Sequence, residues 1–188
     1  MEPQKYKLTL SDLRNSRLFR IVALKDFADV KAGDLGGYVE NVTNLSQYDN
    51  CWIYNDAMVY GRAEVCENAV VRNDATVSGS AIVKGNAVVA GGAQVFSKAI
   101  VTDNALVCDH ARVAGDARVC DHAIIKNKAF IHGDAFIGGF SVIRNTTVVT
   151  RGHVYYAEPP LAESIIESPH ILSAVLLAEE IDKKLSHD

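Results

Sequence analysis

The fold is decided by the stretch AIVKGNAVVAGGAQVFSKAIVTDNALVCDHARVAGDARV, residues 81–119. An alanine recurs in it every six residues, and a valine stands two residues after each alanine. The same step finds only valine or isoleucine from Val59 to Val149. It finds alanine from Ala57 to Ala135, and glycine, asparagine and aspartate gather between the units. A six-residue repeat therefore spans about residues 51–154.

The repeat predicts short strands joined by tight corners. Two apolar residues separated by one position lie on the same face of a strand, so each unit has one buried face. Glycine, asparagine and aspartate tolerate the positive φ that a corner needs. One six-residue unit cannot bury its apolar face alone, so the coils must stack into a β-helix.

The units VKGNAV, VCENAV and IHGDAF are similar to the hexapeptide repeat [LIV]-x-x-x-[STAV]-x of left-handed β-helix proteins, many of which are acyltransferases. The resemblance implies an all-β, left-handed parallel β-helix of about five to six triangular coils, in which residues eighteen apart stack about 4.8 Å apart. The segment RIVALKDFADVKAGDLGGYVENVTNLS also resembles uncharacterised bacterial and phage repeat proteins that carry a transferase label.

Three units are expected along the chain. Residues 1–50 are predicted to form an N-terminal β-hairpin cap, from KYKLTL and LFRIVAL, and the lead-in to the first coil. Residues 51–154 form the β-helix, and residues 155–188 a linker and an α-helix from about Pro169 to Leu185, begun by a serine N-cap and a proline.

Composition excludes several partners. The net charge of −4 argues against nucleic-acid binding, which usually needs a basic stripe. The chain has no apolar run of membrane-spanning length and no signal-peptide pattern at its start, so a cytoplasmic location is expected. The four cysteines show no secreted-domain framework and are expected to be reduced.

One predicted wall carries an outward aliphatic column. A contiguous outward apolar stripe usually marks an interface or is covered by the same chain. We expect a contact between copies, with a trimer favoured by the family resemblance, and the alternative is cover by the C-terminal helix. The column comprises Val70, Val88, Leu106, Ile124 and Val142.

A second wall mixes aromatic and basic side chains and is the predicted ligand-binding surface. Its candidate residues are Phe96, Arg112, Phe130 and His132. His132 is the candidate catalytic base because aromatics and Arg112 lie near it. The histidines that compete for this role are His110, His122 and His153, and a corner column of Asn68, Asn86 and Asn104 ahead of His122 predicts a structural amide ladder.

The repeated Cys-Asp-His triplet is the other candidate for chemistry. Cysteine and histidine at short spacing can bind zinc or form a nucleophile and base. The triplets at 108–110 and 120–122 are twelve residues apart, however, so they should lie on different corners. Repeat duplication accounts for them, and no metal site is predicted.

The uninterrupted repeat has no catalytic loop. The leading hypothesis is therefore a non-catalytic oligomeric scaffold that binds a protein partner or a small ligand between subunits without a cofactor. The phage resemblance adds that it acts on a host process, including by sequestering a nucleotide-like ligand. The competing hypothesis is a CoA-dependent acyltransferase of the hexapeptide-repeat family, with acetyl-CoA as the donor.

Overall fold

The computed structural model of the protein describes residues 4–11, 13 and 17–158. The chain winds through them as an all-β parallel solenoid. Its two-residue strands return every eighteen residues, so that Val88 pairs in parallel with Val70 on one side and with Leu106 on the other. Three sheets result, and we call them the first, second and third walls.

The strands of each wall follow one another at eighteen-residue steps, except for the last step of the third wall, which is seventeen residues. The first wall consists of β4 (Trp52–Ile53), β7 (Val70–Val71), β10 (Val88–Val89), β13 (Leu106–Val107), β16 (Ile124–Ile125) and β19 (Val142–Ile143). The repetitive part of the second wall consists of β5 (Met58–Val59), β8 (Thr76–Val77), β11 (Gln94–Val95), β14 (Arg112–Val113), β17 (Phe130–Ile131) and β20 (Val148–Val149). The third wall consists of β6 (Glu64–Val65), β9 (Ile82–Val83), β12 (Ile100–Val101), β15 (Arg118–Val119), β18 (Phe136–Gly139) and β21 (His153–Tyr156).

The N-terminal strands extend the second wall. The strands β1 (Tyr6–Leu10) and β2 (Phe19–Ala23) pair antiparallel, and β2 pairs antiparallel with β3 (Leu35–Val39). From β3 onward the pairing is parallel, beginning with the pairing of Tyr38 in β3 with Met58 in β5. A short 3-10 helix, Val42–Asn44, follows β3 and ends beside the first turn of the repeat.

The predicted number of coils, about five to six, was too small. The second wall has seven parallel strands, β3, β5, β8, β11, β14, β17 and β20, and the solenoid has about seven turns. The six-residue step cannot find the first turn, because Tyr38 and Met58 are twenty residues apart and the segment contains a 3-10 helix. This turn also lacks the alanine-x-valine pattern.

The predicted buried columns line the inside of the solenoid. Alanine and valine or isoleucine of successive coils are fully buried, as at Ala105, Val107 and Ile125. Backbone bonds join the coils, for example Val88 N–H to Ala105 O at 2.9 Å. The corners adopt positive φ as expected, with values of 65° at Gly91 and 59° at Asp109.

A buried lysine ties β1 to the first coil. Lys5 is fully buried, and its Nζ donates to the carbonyl oxygens of Tyr48 and Cys51 at 3.0 Å each. The Cys51 Sγ lies 3.2 Å from the same nitrogen. Burial lowers the pKa of Lys5 from its ordinary value, although the Cys51 thiol opposes this effect. The ammonium is therefore a structural donor.

The predicted C-terminal helix, from about Pro169 to Leu185, lies outside the described residues. Among the residues that the structure does describe, no helix is long and apolar enough to cross a bilayer.

Candidate functional site

The second wall brings the four predicted ligand-binding residues into one chain of contacts. The Arg112 guanidinium lies between two aromatic rings, with its Cζ 5.3 Å from the centroid of Phe96 and 4.5 Å from that of Phe130. The ring of His132 lies against Phe130, with a centroid distance of 4.4 Å and a tilt of 31°. Stacking between rings holds the guanidinium in place without neutralising its charge.

Basic residues are concentrated around this stack. His110 and Arg112 lie on one coil, and Lys128 and His132 lie on the next, where Lys128 occupies the position equivalent to His110 and Phe130 the position equivalent to Arg112. We call the set Phe96, Arg112, Lys128, Phe130 and His132 the basic face. It combines positive charge with flat apolar surfaces on a chain whose net charge is −4. Such a surface suits a ligand that carries both an anionic group and a planar ring.

The corner between the first and second walls contains an open groove beside the basic face. In other coils this corner carries two side chains, as in Asn73-Asp74 and Asp109-His110, but one coil has glycine at both positions. We call this place, at Gly91 and Gly92, the glycine notch. The groove has a volume of ≈ 610 Å³ and is lined by Asp74, Gly91, Gly92, Asp109, His110, Asn127 and Lys128.

His110 owes its position to the glycine notch. A methyl carbon placed on Gly92 would lie 2.8 Å from Nδ1 of His110. The imidazole therefore packs against the Gly92 backbone in space that any other residue would fill. Sequence reasoning included His110 among the competing histidines but preferred His132. The eighteen-residue step was the signal that could have found it, since it places Gly92 directly over His110.

Side chains of this corner link successive coils. We call each such link a rung: a corner side-chain oxygen accepts the backbone N–H eighteen residues further on. Asn73 Oδ1 accepts from Gly91 N at 3.3 Å, and Asp109 Oδ2 accepts from Asn127 N at 2.9 Å. Asn127 continues the series to Asn145 N at 3.2 Å. The rungs fix the spacing of the coils along this edge of the second wall.

The first-wall column is in register and half-buried, as the outward positions of one wall should be. Its members pair in sequence along the wall, for example Leu106 with Ile124. Trp52 ends the column and is 1% exposed, because Tyr6 and Phe27 pack edge-on against its indole. The contact between copies proposed for Val70, Val88, Leu106, Ile124 and Val142 stays a prediction.

The predicted asparagine ladder is present on the corner between the third and first walls. Amide Nδ2 donates to the next Oδ1 at 3.2 Å, from Asn68 to Asn86 and from Asn86 to Asn104. The ladder also extends one step back to Asn50. His122 follows and stacks on Phe140, with a centroid distance of 4.8 Å. These residues have a structural role.

The two Cys-Asp-His triplets lie on different corners, as predicted. The first borders the glycine notch, and the second lies beside the asparagine ladder. Burial, with help from Asp121, raises the pKa of the Cys120 thiol to about 11, so this thiol stays protonated and is a poor nucleophile. Asp103, Cys120 and Asp121 each place one ligand atom within 4.8 Å of the others. The carboxylates of Asp103 and Asp121 already accept hydrogen bonds from corner N–H groups. These structural hydrogen bonds account for the clustering of the three residues.

Comparison with known proteins gives one informative relative. No family model matches the chain. A segment of 53 residues, 28% of the chain, is 43% identical to a protein named "Uncharacterized acetyltransferase YdcK" from Escherichia coli (strain K12). The match covers 16% of that protein's length. The relative and the stacked six-residue units confirm the predicted resemblance to hexapeptide-repeat, acyltransferase-like proteins.

Proposed function

We propose that the protein transfers an acyl group from an acyl-CoA thioester to a nucleophilic acceptor. The observation that carries the proposal is the basic face, where a guanidinium is held between two phenylalanines. His132 stacks on one of these rings, and Lys128 lies on the neighbouring corner. CoA has phosphate groups that suit the cations and an adenine ring that suits the flat apolar surfaces. The acetyltransferase name of the relative favours this hypothesis over the non-catalytic scaffold.

The chemistry needs a proton acceptor beside the donor. The acceptor nucleophile loses a proton as it attacks the thioester carbonyl, the C–S bond breaks, and the CoA thiolate takes up a proton. Two histidines flank Arg112 on this wall. We favour His110 for the transfer because its ring borders the open groove, whereas the His132 ring lies against Phe130. His132 then contributes to the surface that binds the donor.

Calorimetry with acetyl-CoA tests the donor site. Arg112→Gln should weaken binding about tenfold, the loss of roughly 1.4 kcal/mol that one charge-assisted hydrogen bond contributes. Arg118→Gln is the matched control, because Arg118 has the same exposed position in β15 of the third wall. Equal effects of the two variants, or no binding of acetyl-CoA by the unmodified protein, would refute the proposed function.

Turnover assays separate the two histidines. Monitoring CoA release from acetyl-CoA with a panel of amine and hydroxyl acceptors, we expect His110→Ala to lower kcat by at least about 100-fold. His132→Ala should mainly raise KM for acetyl-CoA. The reverse pattern would return the catalytic role to His132. Donor binding without transfer to any acceptor would instead favour a binding protein.

We propose in addition that copies associate through the first-wall column as a trimer. The half-buried aliphatic side chains support this, because a contiguous apolar column exposed to water is unfavourable. The coils are proposed to be left-handed, by resemblance to the family, and the β1–β2 hairpin to cap their N-terminal end. In sedimentation experiments, the Leu106→Glu variant should form smaller particles than the unmodified protein. The Gln94→Glu variant, changed on the second wall, should keep the oligomeric state of the unmodified protein.

A further inference from the structure

The groove beside the basic face is lined by two carboxylates, of which one is held by the coil. Asp109 Oδ2 accepts hydrogen bonds from the backbone N–H and the side-chain amide of Asn127, at 2.9 and 3.0 Å. Among the residues that the structure describes, no hydrogen bond or ion pair involves the carboxylate of Asp74, which is exposed and lines the groove. Asp74 therefore brings to the groove a negative charge that no neighbouring cation pairs with.

The preceding coil has the same corner sequence with its negative charge paired. Both Asn55-Asp56 and Asn73-Asp74 use the asparagine for a rung, to Asn73 N at 3.2 Å and to Gly91 N at 3.3 Å. The Asp56 carboxylate, however, lies 3.5 Å from Nη1 of Arg20. The two corners thus differ in the environment of the aspartate, and the unpaired aspartate is the one at the groove.

The position of Asp74 relative to His110 is the feature that indicates binding. Exposed carboxylates without a partner also occur at Glu64 and Asp134, so a missing partner alone indicates nothing. Asp74 is in register with Gly92 of the next coil. The His110 ring reaches the level of Gly92, since its Nδ1 would lie 2.8 Å from a methyl carbon placed there. A carboxylate and an imidazole therefore border one opening from adjacent coil levels, which are about 4.8 Å apart.

We propose that the acyl acceptor is a primary amine whose ammonium group binds Asp74 beside His110. The inference rests on the proposed acyl transfer and names its second substrate by chemical class. A tetrahedral nitrogen bonded to two partners at about 2.9 Å holds them roughly 4.7 Å apart, which matches the separation of adjacent coil levels. A hydroxyl acceptor is neutral, so it gains much less from a carboxylate at this place.

The order of charges along the corner separates the two substrates. Asp74, Gly92, His110 and Lys128 follow one another at eighteen-residue steps. The negative charge lies at one end of this series, and the ammonium of Lys128, which belongs to the basic face, lies at the other. A cationic acceptor and an anionic donor are therefore attracted to opposite ends of the groove, with His110 between them.

The reaction requires that the bound ammonium lose protons. One proton passes from the ammonium to the neutral imidazole of His110, and the freed lone pair forms the N–C bond with the thioester carbonyl. The C–S bond breaks, and the CoA thiolate takes the proton from His110. The nitrogen, which is positive after the attack, loses a second proton to solvent as the amide forms. Asp74 stays ionised throughout and compensates the positive charge on the nitrogen before and during the attack.

Turnover assays with matched acceptors test the proposal. The probes are benzylamine with benzyl alcohol and cyclohexylamine with cyclohexanol, at saturating acetyl-CoA, with CoA release as the signal. Amines are the better nucleophiles toward thioesters, so the informative quantity is the change caused by a variant. Asp74→Asn keeps the shape and removes the charge, and it should lower kcat/KM for the amines about tenfold. Turnover of the alcohols, where measurable, and affinity for acetyl-CoA should change less than about threefold.

Asp56→Asn is the matched control, because it makes the same change in the same corner sequence one coil away from the groove. It should retain full turnover of the amines. Equal losses in Asp74→Asn and Asp56→Asn, or an equal loss for amines and alcohols in Asp74→Asn, would overturn the inference. The comparison of amine with alcohol within one variant does not depend on how much of that variant folds.

Salt gives a second measure of the ion pair. Raising NaCl from about 0.05 to about 0.5 M should raise KM for the amines roughly threefold in the unmodified protein, and this dependence should disappear in Asp74→Asn. The same dependence in both proteins would contradict an ion pair at Asp74. Turnover of the alcohols alone would overturn the inference and leave acyl transfer standing, whereas no turnover of any acceptor would refute both.

Discussion

Adjacent isoleucines in β16 provide a stringent test of the solenoid core. Ile125 is fully buried inside, whereas Ile124 points outward from the first wall and is half-buried. Truncating Ile125 to alanine removes three carbons, or about 2.4 kcal/mol at roughly 0.8 kcal/mol per buried carbon. A cavity adds to this cost, because the backbone bonds Leu106 N–H to Ala123 O and Ile124 N–H to Ser141 O prevent collapse. We expect a loss of about 4 kcal/mol.

The Ile124→Ala variant is the internal control for this prediction. The same three carbons leave a partly exposed position, so the free energy of unfolding should fall by about 1 kcal/mol. Urea denaturation followed by circular dichroism measures both values, at a protein concentration low enough to keep the chains apart. Equal losses at the two positions would contradict the assignment of inner and outer faces. A large loss at Ile124 that appears only at high concentration would instead support association through the first wall.

Three other perturbations test the N-terminal packing, the asparagine ladder and the buried thiols. Gly36→Ala would place a carbon 2.6 Å from the indole of Trp52, so it should destabilise the fold and shift the fluorescence of this single tryptophan; an unchanged spectrum would contradict the packing. Asn86→Ala removes two exposed hydrogen bonds between side-chain amides and should lower the free energy of unfolding, measured in urea, by about 1 kcal/mol. No change would show that the ladder does not contribute to stability. Between pH 9 and about pH 11 the folded Cys120 thiol keeps a proton that the unfolded thiol has lost, so stability should fall as pH rises; Cys120→Ala should flatten this dependence, and an unchanged slope would refute the assignment.

The walls were predictable because a single repeat length, six residues, determines their register. A six-residue step with an alanine and a valine fixes which side chains point inward, and three steps bring residues into register. The asparagine ladder and the contacts of Arg112 with Phe96 and Phe130 followed from this spacing alone. At these positions the preferences of the individual residues and the stacking of the coils favour the same structure, so prediction from the sequence is dependable there.

The ends and the glycine notch were not predictable in the same way. The first turn is twenty residues long, and the last pairing of the third wall, Phe136 with His153, is seventeen, so each departs from the common step. The glycine notch exists because both corner positions of one coil are glycines, which have no side chains. Gly91 and Gly92 looked like ordinary corner residues, and only their place over Asp109 and His110 gives them significance.

The eighteen-residue turn also limits how this chain can vary in length. Loss or gain of a complete turn leaves every later residue on its own wall, so a longer or shorter relative can keep all its surfaces. A change of six or twelve residues rotates everything after it by one or two walls. Such a change between Arg112 and Phe130 would carry the aromatic ring to another side of the molecule while leaving the buried alanine and valine columns intact. Stability and surface therefore respond to different units of insertion, and a variant with an incomplete turn can fold well and still lose its binding face.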